Sequence, residues 1–90
     1  MPKPNRIRGV LHLLLLIDGN VAFVFRPGTV EAGSNPLLST NFEAAQEDLV
    51  RTWGFPSKKA KEAIDELNLN GFAEREIDAD AEMVAMLFPS

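Results

Sequence analysis

Residues 49–72 read LVRTWGFPSKKAKEAIDELNLNGF, and the reading of this stretch decides the fold. Ala60, Ala63, Ile64 and Leu67 fall at i, i+3, i+4 and i+7, one apolar stripe of a helix. Upstream, Phe42, Ala45, Leu49 and Trp53 keep the same helical spacing. Between the two stripes Gly54 is free to take a left-handed conformation, and Pro56 drives Phe55 out of the helical region. Two short helices therefore cross at a tight turn. Ala60 and Ala63 are small enough to let the helix axes approach closely. Trp53 and Phe55 belong to the core stripe and the turn, which points to burial rather than to stacking on bases.

Leu49, Val50, Trp53, Gly54, Ala60, Ala63, Ile64, Leu67 and Gly71, followed by the strand-like Phe72-Ala73-Glu74-Arg75-Glu76, stand at spacings that resemble the winged helix-turn-helix family. The resemblance covers roughly residues 41–77 and extends to the C-terminal hairpin. It implies an α+β fold of helix, strand, helix, helix and two-stranded wing, with residues 1–90 as a single domain.

Working outward, residues 5–19 fit two structures. Asn5 as a cap, the stripe Ile7, Val10, Leu11, Leu14 and a terminating Gly19 describe a helix. The nearly continuous apolar run Val10 to Ile17, followed by Asp18-Gly19 and Val21-Ala22-Phe23-Val24-Phe25, describes a strand entering a hairpin. Periodicity does not break this tie, and the winged-helix topology decides it for a helix. Val21 to Phe25 reads as an inner strand with two apolar faces. Arg26 to Ser39, rich in Pro, Gly, Ser and Asn, reads as a long loop. Thr40 and Glu43 have the spacing of a capping box opening the second helix. Phe72–Ile77 and Met83–Phe88 read as the two wing strands, with Asp78 to Glu82 as their turn and Pro89 as the stop. The expected core holds Leu11, Leu14, Leu49, Trp53, Ala60, Ile64 and Leu67, which leaves Leu13 and Leu16 of the first helix as a dimer surface.

Ninety residues, 46% of them hydrophobic, suffice for one small core and not for two. The chain has no cysteine and one histidine, so neither a disulfide framework nor a thiolate or histidine-rich metal site is expected, and no cofactor is implied. The basic, then apolar N-terminal segment imitates a secretion signal, but no small-x-small cleavage site follows it. Its apolar run is too short to span a bilayer. A cytoplasmic protein without membrane attachment is expected.

Catalysis is not expected, because no nucleophile or general base stands in a recognisable setting. His12 lies among leucines and reads as a packed side chain with one nitrogen satisfied. Asp78-Ala79-Asp80-Ala81-Glu82 alternates carboxylates but lacks the length and central glycine of a calcium loop, and reads as a solvated tip. No glycine-rich phosphate loop occurs.

Net charge is −4 and the sequence pI is about 4.8, which disfavours indiscriminate nucleic-acid binding. The charge is unevenly distributed. Lys3, Arg6 and Arg8 form one basic group and Lys58, Lys59 and Lys61 another, whereas from Glu62 onward Arg75 is the one basic residue among eight acidic ones. The resemblance implies a DNA contact at the N-terminal end of the second turn-motif helix through Ser57, Lys58, Lys59 and Lys61, with Arg51 and Arg75 on the phosphate backbone. Glu62 and Asp65 share that outward face, and Lys58–Glu62 and Lys61–Asp65 are i, i+4 pairs that serve the helix itself. The expected function is sequence-specific binding of double-stranded DNA by a small dimeric transcriptional regulator. The alternative is an interaction module or inhibitor whose acidic segment from Glu74 to Glu82 contacts a basic protein partner.

Overall fold

In the computed structural model, which describes residues 6–28 and 38–87, the apolar segment after Asn5 is a strand. β1 (Arg6–Leu15) turns back through Leu16 to Gly19 into β2 (Asn20–Pro27), followed by β3 (Leu38–Asn41), α1 (Phe42–Arg51), α2 (Ser57–Asn70), β4 (Phe72–Asp80) and α3 (Ala81–Leu87). The four strands form one antiparallel sheet in the order β3-β2-β1-β4. The fold is therefore α+β but not a winged helix: a strand replaces the first helix, and the wing is absent. Phe72–Asp80 pairs along its length with β1, while Met83–Phe88, expected as the second wing strand, is helical as far as Leu87 in α3.

The hairpin between β1 and β2 carries the turn signal of Asp18-Gly19. Gly19 sits at φ +90°, a conformation that favours glycine, and Asp18 accepts hydrogen bonds from the Asn20 backbone and side-chain amides at 3.0 and 3.3 Å. In β1 the side chains of Ile7, Leu11, Leu13 and Leu15 face one side, where Gly9 also lies, and those of Arg6, Arg8, Val10, His12 and Leu14 the other. This alternation is why Leu13, expected on a dimer surface, is completely buried, whereas Leu14, expected in the core, is 39% exposed. The other expected core residues, Leu11, Leu49, Trp53, Ala60, Ile64 and Leu67, are buried.

All three helices pack on the first of these faces. Leu11, Leu13, Val21 and Phe23 of the sheet close against Leu49, Ala60, Ala63, Ile64 and Leu67 of the helices, and Met83, Val84 and Leu87 of α3 lean on the same core. Each large side chain so buried contributes about 1.5–3 kcal/mol. Trp53, at the α1–α2 turn, sets its ring 6.3 Å from Phe23 and 5.9 Å from Phe25.

The helix ends differ in detail from expectation. Asn41, not Thr40, caps α1, its side-chain oxygen accepting from the Ala44 amide at 2.8 Å. Thr40 is committed to the ladder opposite Val21. Gly71 ends α2 at φ +87°, as its place after the helical stripe suggests. Asp80 Oδ1 receives the amides of Glu82 and Met83, so the acidic segment expected as a loop tip instead ends β4 and starts α3. Most of the expected 26–39 loop, together with Phe88 and Pro89, lies outside the described residues.

Candidate functional site

The side chains expected to contact DNA are carried by α1, α2 and β4, and each of two grooves brings a pair of them together. Arg51 ends α1, Ser57, Lys58, Lys59 and Lys61 occupy the exposed first turns of α2, and Arg75 lies in β4. Arg51 and Ser57 line a groove of 610 Å³ that Glu43 and Glu47 also line. Lys59 and Arg75 line a separate groove of 470 Å³ together with Glu62, Glu76 and Asp78. Carboxylates thus share both grooves with the cations. Two of the six residues are also engaged. Arg75 donates to Glu66 of α2 at 2.8 Å and to the Glu74 carbonyl oxygen at 2.7 Å, and Lys61 lies 3.4 Å from Asp65. Lys58, Lys59 and Arg51 remain exposed, with no ion pair among the described residues.

A second surface lies on the side of the sheet away from the helices, exposed along β4 and at Arg6, Arg8 and Arg26 but closed at Ala22 and at His12 Nε2. On the outer side of the sheet, β4 presents Phe72, Glu74, Glu76, Asp78 and Asp80, all exposed. Alongside, β1 presents Arg6, Arg8, Val10, His12 and Leu14, and β2 presents Val24 and Arg26. The register places Arg8 opposite Asp78, Val10 opposite Glu76, and His12 opposite Glu74. A column of carboxylates therefore runs beside a shorter column of arginines. Contacts within the face are few. Arg6 Nε lies 3.9 Å from Asp78 Oδ1, and its guanidinium also donates to the Asp78 carbonyl oxygen. His12 Nδ1 lies 3.2 Å from Glu74 Oε2, while its Nε2 is buried without a hydrogen-bond partner among the described residues.

β4 is also an edge strand. The Leu15 amide donates to the Gly71 carbonyl oxygen at 3.0 Å, so by the antiparallel alternation the odd-numbered residues of β4 direct their backbone groups to β1. Phe72, Glu74, Glu76, Asp78 and Asp80 direct theirs away from the sheet. Arg75 and Arg6 cover two of these outward carbonyls, and the acidic side chains repel a second copy of the same strand, two devices that keep an open edge from self-pairing.

Arg8, Val10, Val24 and Arg26 were not among the expected site residues. Their signal lay in the sequence: polar Arg6, Arg8 and His12 alternate with apolar Ile7, Leu11 and Leu13, a period of two that a helical reading of the segment hides. Among the described residues no helix is long and apolar enough to cross a membrane. Comparison of the chain with known protein families, with curated proteins and with solved structures finds no match.

Proposed function

We propose that this chain is a non-catalytic interaction module that receives a protein partner on the outer face of its sheet, with β4 as the contact for basic side chains. One observation carries the proposal: Glu74, Glu76, Asp78 and Asp80 stand exposed in a row on a face that also holds Arg6, Arg8 and Arg26. A face with adjacent columns of opposite sign is complementary to a protein surface that reverses them. A nucleic acid presents one sign throughout, so its phosphates meet the carboxylate column as repulsion. The same objection applies at both grooves that hold the basic residues. DNA binding keeps a narrower basis in Lys58, Lys59 and Arg51, which are exposed beside the N-terminal end of α2.

Two charge reversals separate these readings. Glu76→Lys with Asp78→Lys alters the sheet face without touching Asp80, whose carboxylate caps α3. Lys58→Glu with Lys59→Glu alters the helix end. The immobilised chain is expected to retain a protein partner that the sheet-face variant loses and the lysine variant keeps, and neither wild type nor variant binds mixed duplex DNA in fluorescence anisotropy. Binding of duplex by the wild type, falling steeply with salt and abolished in the lysine variant, would refute the proposal in favour of phosphate contacts.

A further inference from the structure

The groove of 470 Å³ opens beside the free edge of β4, and its volume falls among ligand clefts of roughly 300–1,000 Å³. Glu76, Ile77 and Asp78 of β4 line one side, and Trp53, Phe55 and Pro56 of the α1–α2 connection line the other. The helix-facing part is therefore apolar, because Ile77 points toward the helices and meets two aromatic rings and a proline there.

The backbone at this edge is unevenly covered. Arg75 donates to the Glu74 carbonyl oxygen and Arg6 to that of Asp78. Between them, the amide and carbonyl of Glu76 both point away from β1 and have no hydrogen bond among the described residues. A donor and an acceptor directed the same way from one residue form half of an antiparallel pair, which a single residue of an added strand completes. A phosphate offers acceptors only and leaves the carbonyl unmet.

The side chains specify what kind of strand fits. On the outer face an added strand lies alongside Glu74, Glu76 and Asp78, which favours basic side chains, and its alternate residues turn toward Ile77, Phe55 and Pro56, which favours apolar ones. The chain already uses this pattern on the other edge of β4, where Arg6-Ile7-Arg8 places Arg6 and Arg8 opposite Asp80 and Asp78, with Ile7 on the inner face opposite Ala79. The β4 strand of a second copy would set carboxylates against carboxylates and is repelled.

The geometry points to the free edge of β4 as a site of strand addition, taking in antiparallel sense an extended segment of another polypeptide in which lysine or arginine alternates with apolar residues. This rests on the sheet-face reading above and gives the partner's chemistry and mode of contact. Pairing at Glu76 leaves the contacts of Arg6 and Arg75 in place.

The test uses a fluorescent peptide of alternating lysine and valine, titrated with the intact chain and followed by anisotropy. Saturable binding is expected. Glu76→Pro and Glu76→Gln both remove the carboxylate, but proline alone removes the outward amide, at an edge position where the β1 ladder does not use it. Proline is expected to weaken binding at least about tenfold relative to glutamine. The residue paired with Glu76 shares its face, so it is a lysine of the peptide whose amide turns toward β4. N-methylation of the lysine amides is therefore expected to weaken binding by at least about tenfold, and N-methylation of the valine amides to leave it unchanged. This arm uses the wild-type chain and stands whether or not the proline variant folds. Absence of peptide binding at millimolar concentration overturns the inference. Binding that is lost in Glu76→Lys with Asp78→Lys, yet equally tight for both methylated peptides, overturns strand addition and leaves the sheet-face reading standing. Binding that survives that double reversal overturns both.

Discussion

Replacing Gly9 by alanine tests the central strand directly, because its effect has opposite signs in the two structures the N-terminal segment can adopt. In a helix, alanine at this position would stabilise by about 0.5–1 kcal/mol through lower backbone entropy in the unfolded chain. In the sheet, Gly9 is buried on the inner face of β1 between Pro27 and Ile77. An added Cβ would stand 2.8 Å from Phe25 Cζ and 3.0 Å from Cε1, and would overlap the Arg26 carbonyl oxygen. The carbonyl belongs to the β1–β2 ladder and moves only with its strand. The Phe25 ring is almost fully buried and is backed by Trp53 at 5.9 Å. With neither neighbour free to withdraw, overpacking costs about 1–3 kcal/mol. For a domain of this size that lowers the melting midpoint by roughly 4–24 °C. Thermal unfolding followed by far-ultraviolet circular dichroism, with urea unfolding as a check on cooperativity, measures the effect. A midpoint that is unchanged or raised would refute the placement of Gly9 beneath Phe25, and with it the register of β1 against β2.

Two further substitutions address the helices. Ile64→Ala removes a side chain that is 8% exposed in α2 and is expected to cost about 2–5 kcal/mol in urea unfolding; a loss below that range would mean that α2 packs by a different face. Asn41→Ala should cost about 1 kcal/mol by removing the cap of α1, with Thr40→Ala costing less at the cap because its side chain bonds none of the first amides of α1; the reverse order of these two losses would restore the Thr40 capping box.

The parts of the fold that were legible in the sequence are those whose structure is fixed by near neighbours. The stripe Ala60, Ala63, Ile64, Leu67 has one period, ends at a glycine that takes φ +87°, and specifies α2 without reference to the rest of the chain. Val21 to Phe25, β-branched and aromatic between two turn signals, likewise specified a strand. The α3 segment held a usable local signal that was misread, since Met83, Val84 and Leu87 fall on one helical face and Asp80 stands ready as a cap.

The N-terminal segment was different in kind. Val10 to Ile17 is apolar or neutral at nearly every position, and such a run satisfies a helical and a strand period alike. What decided it was β4, whose residues Phe72 to Asp80 pair with β1 from Leu14 to Arg6 across 58 to 74 positions of sequence. Periodicity within a window does not contain a partner that distant. The candidate surfaces depend on the same pairing. The charges of Glu74, Glu76, Asp78, Arg6 and Arg8 were readable as letters, but the sheet made them neighbouring columns, and the groove that Ile77 lines with Trp53 and Pro56 exists only in the folded chain. The sequence by itself determined composition, charge and the local periods of α2 and β2. The tertiary structure decided which face of β1 is buried, because a one-residue change in side-chain phase exchanges Leu13 for Leu14 between core and solvent.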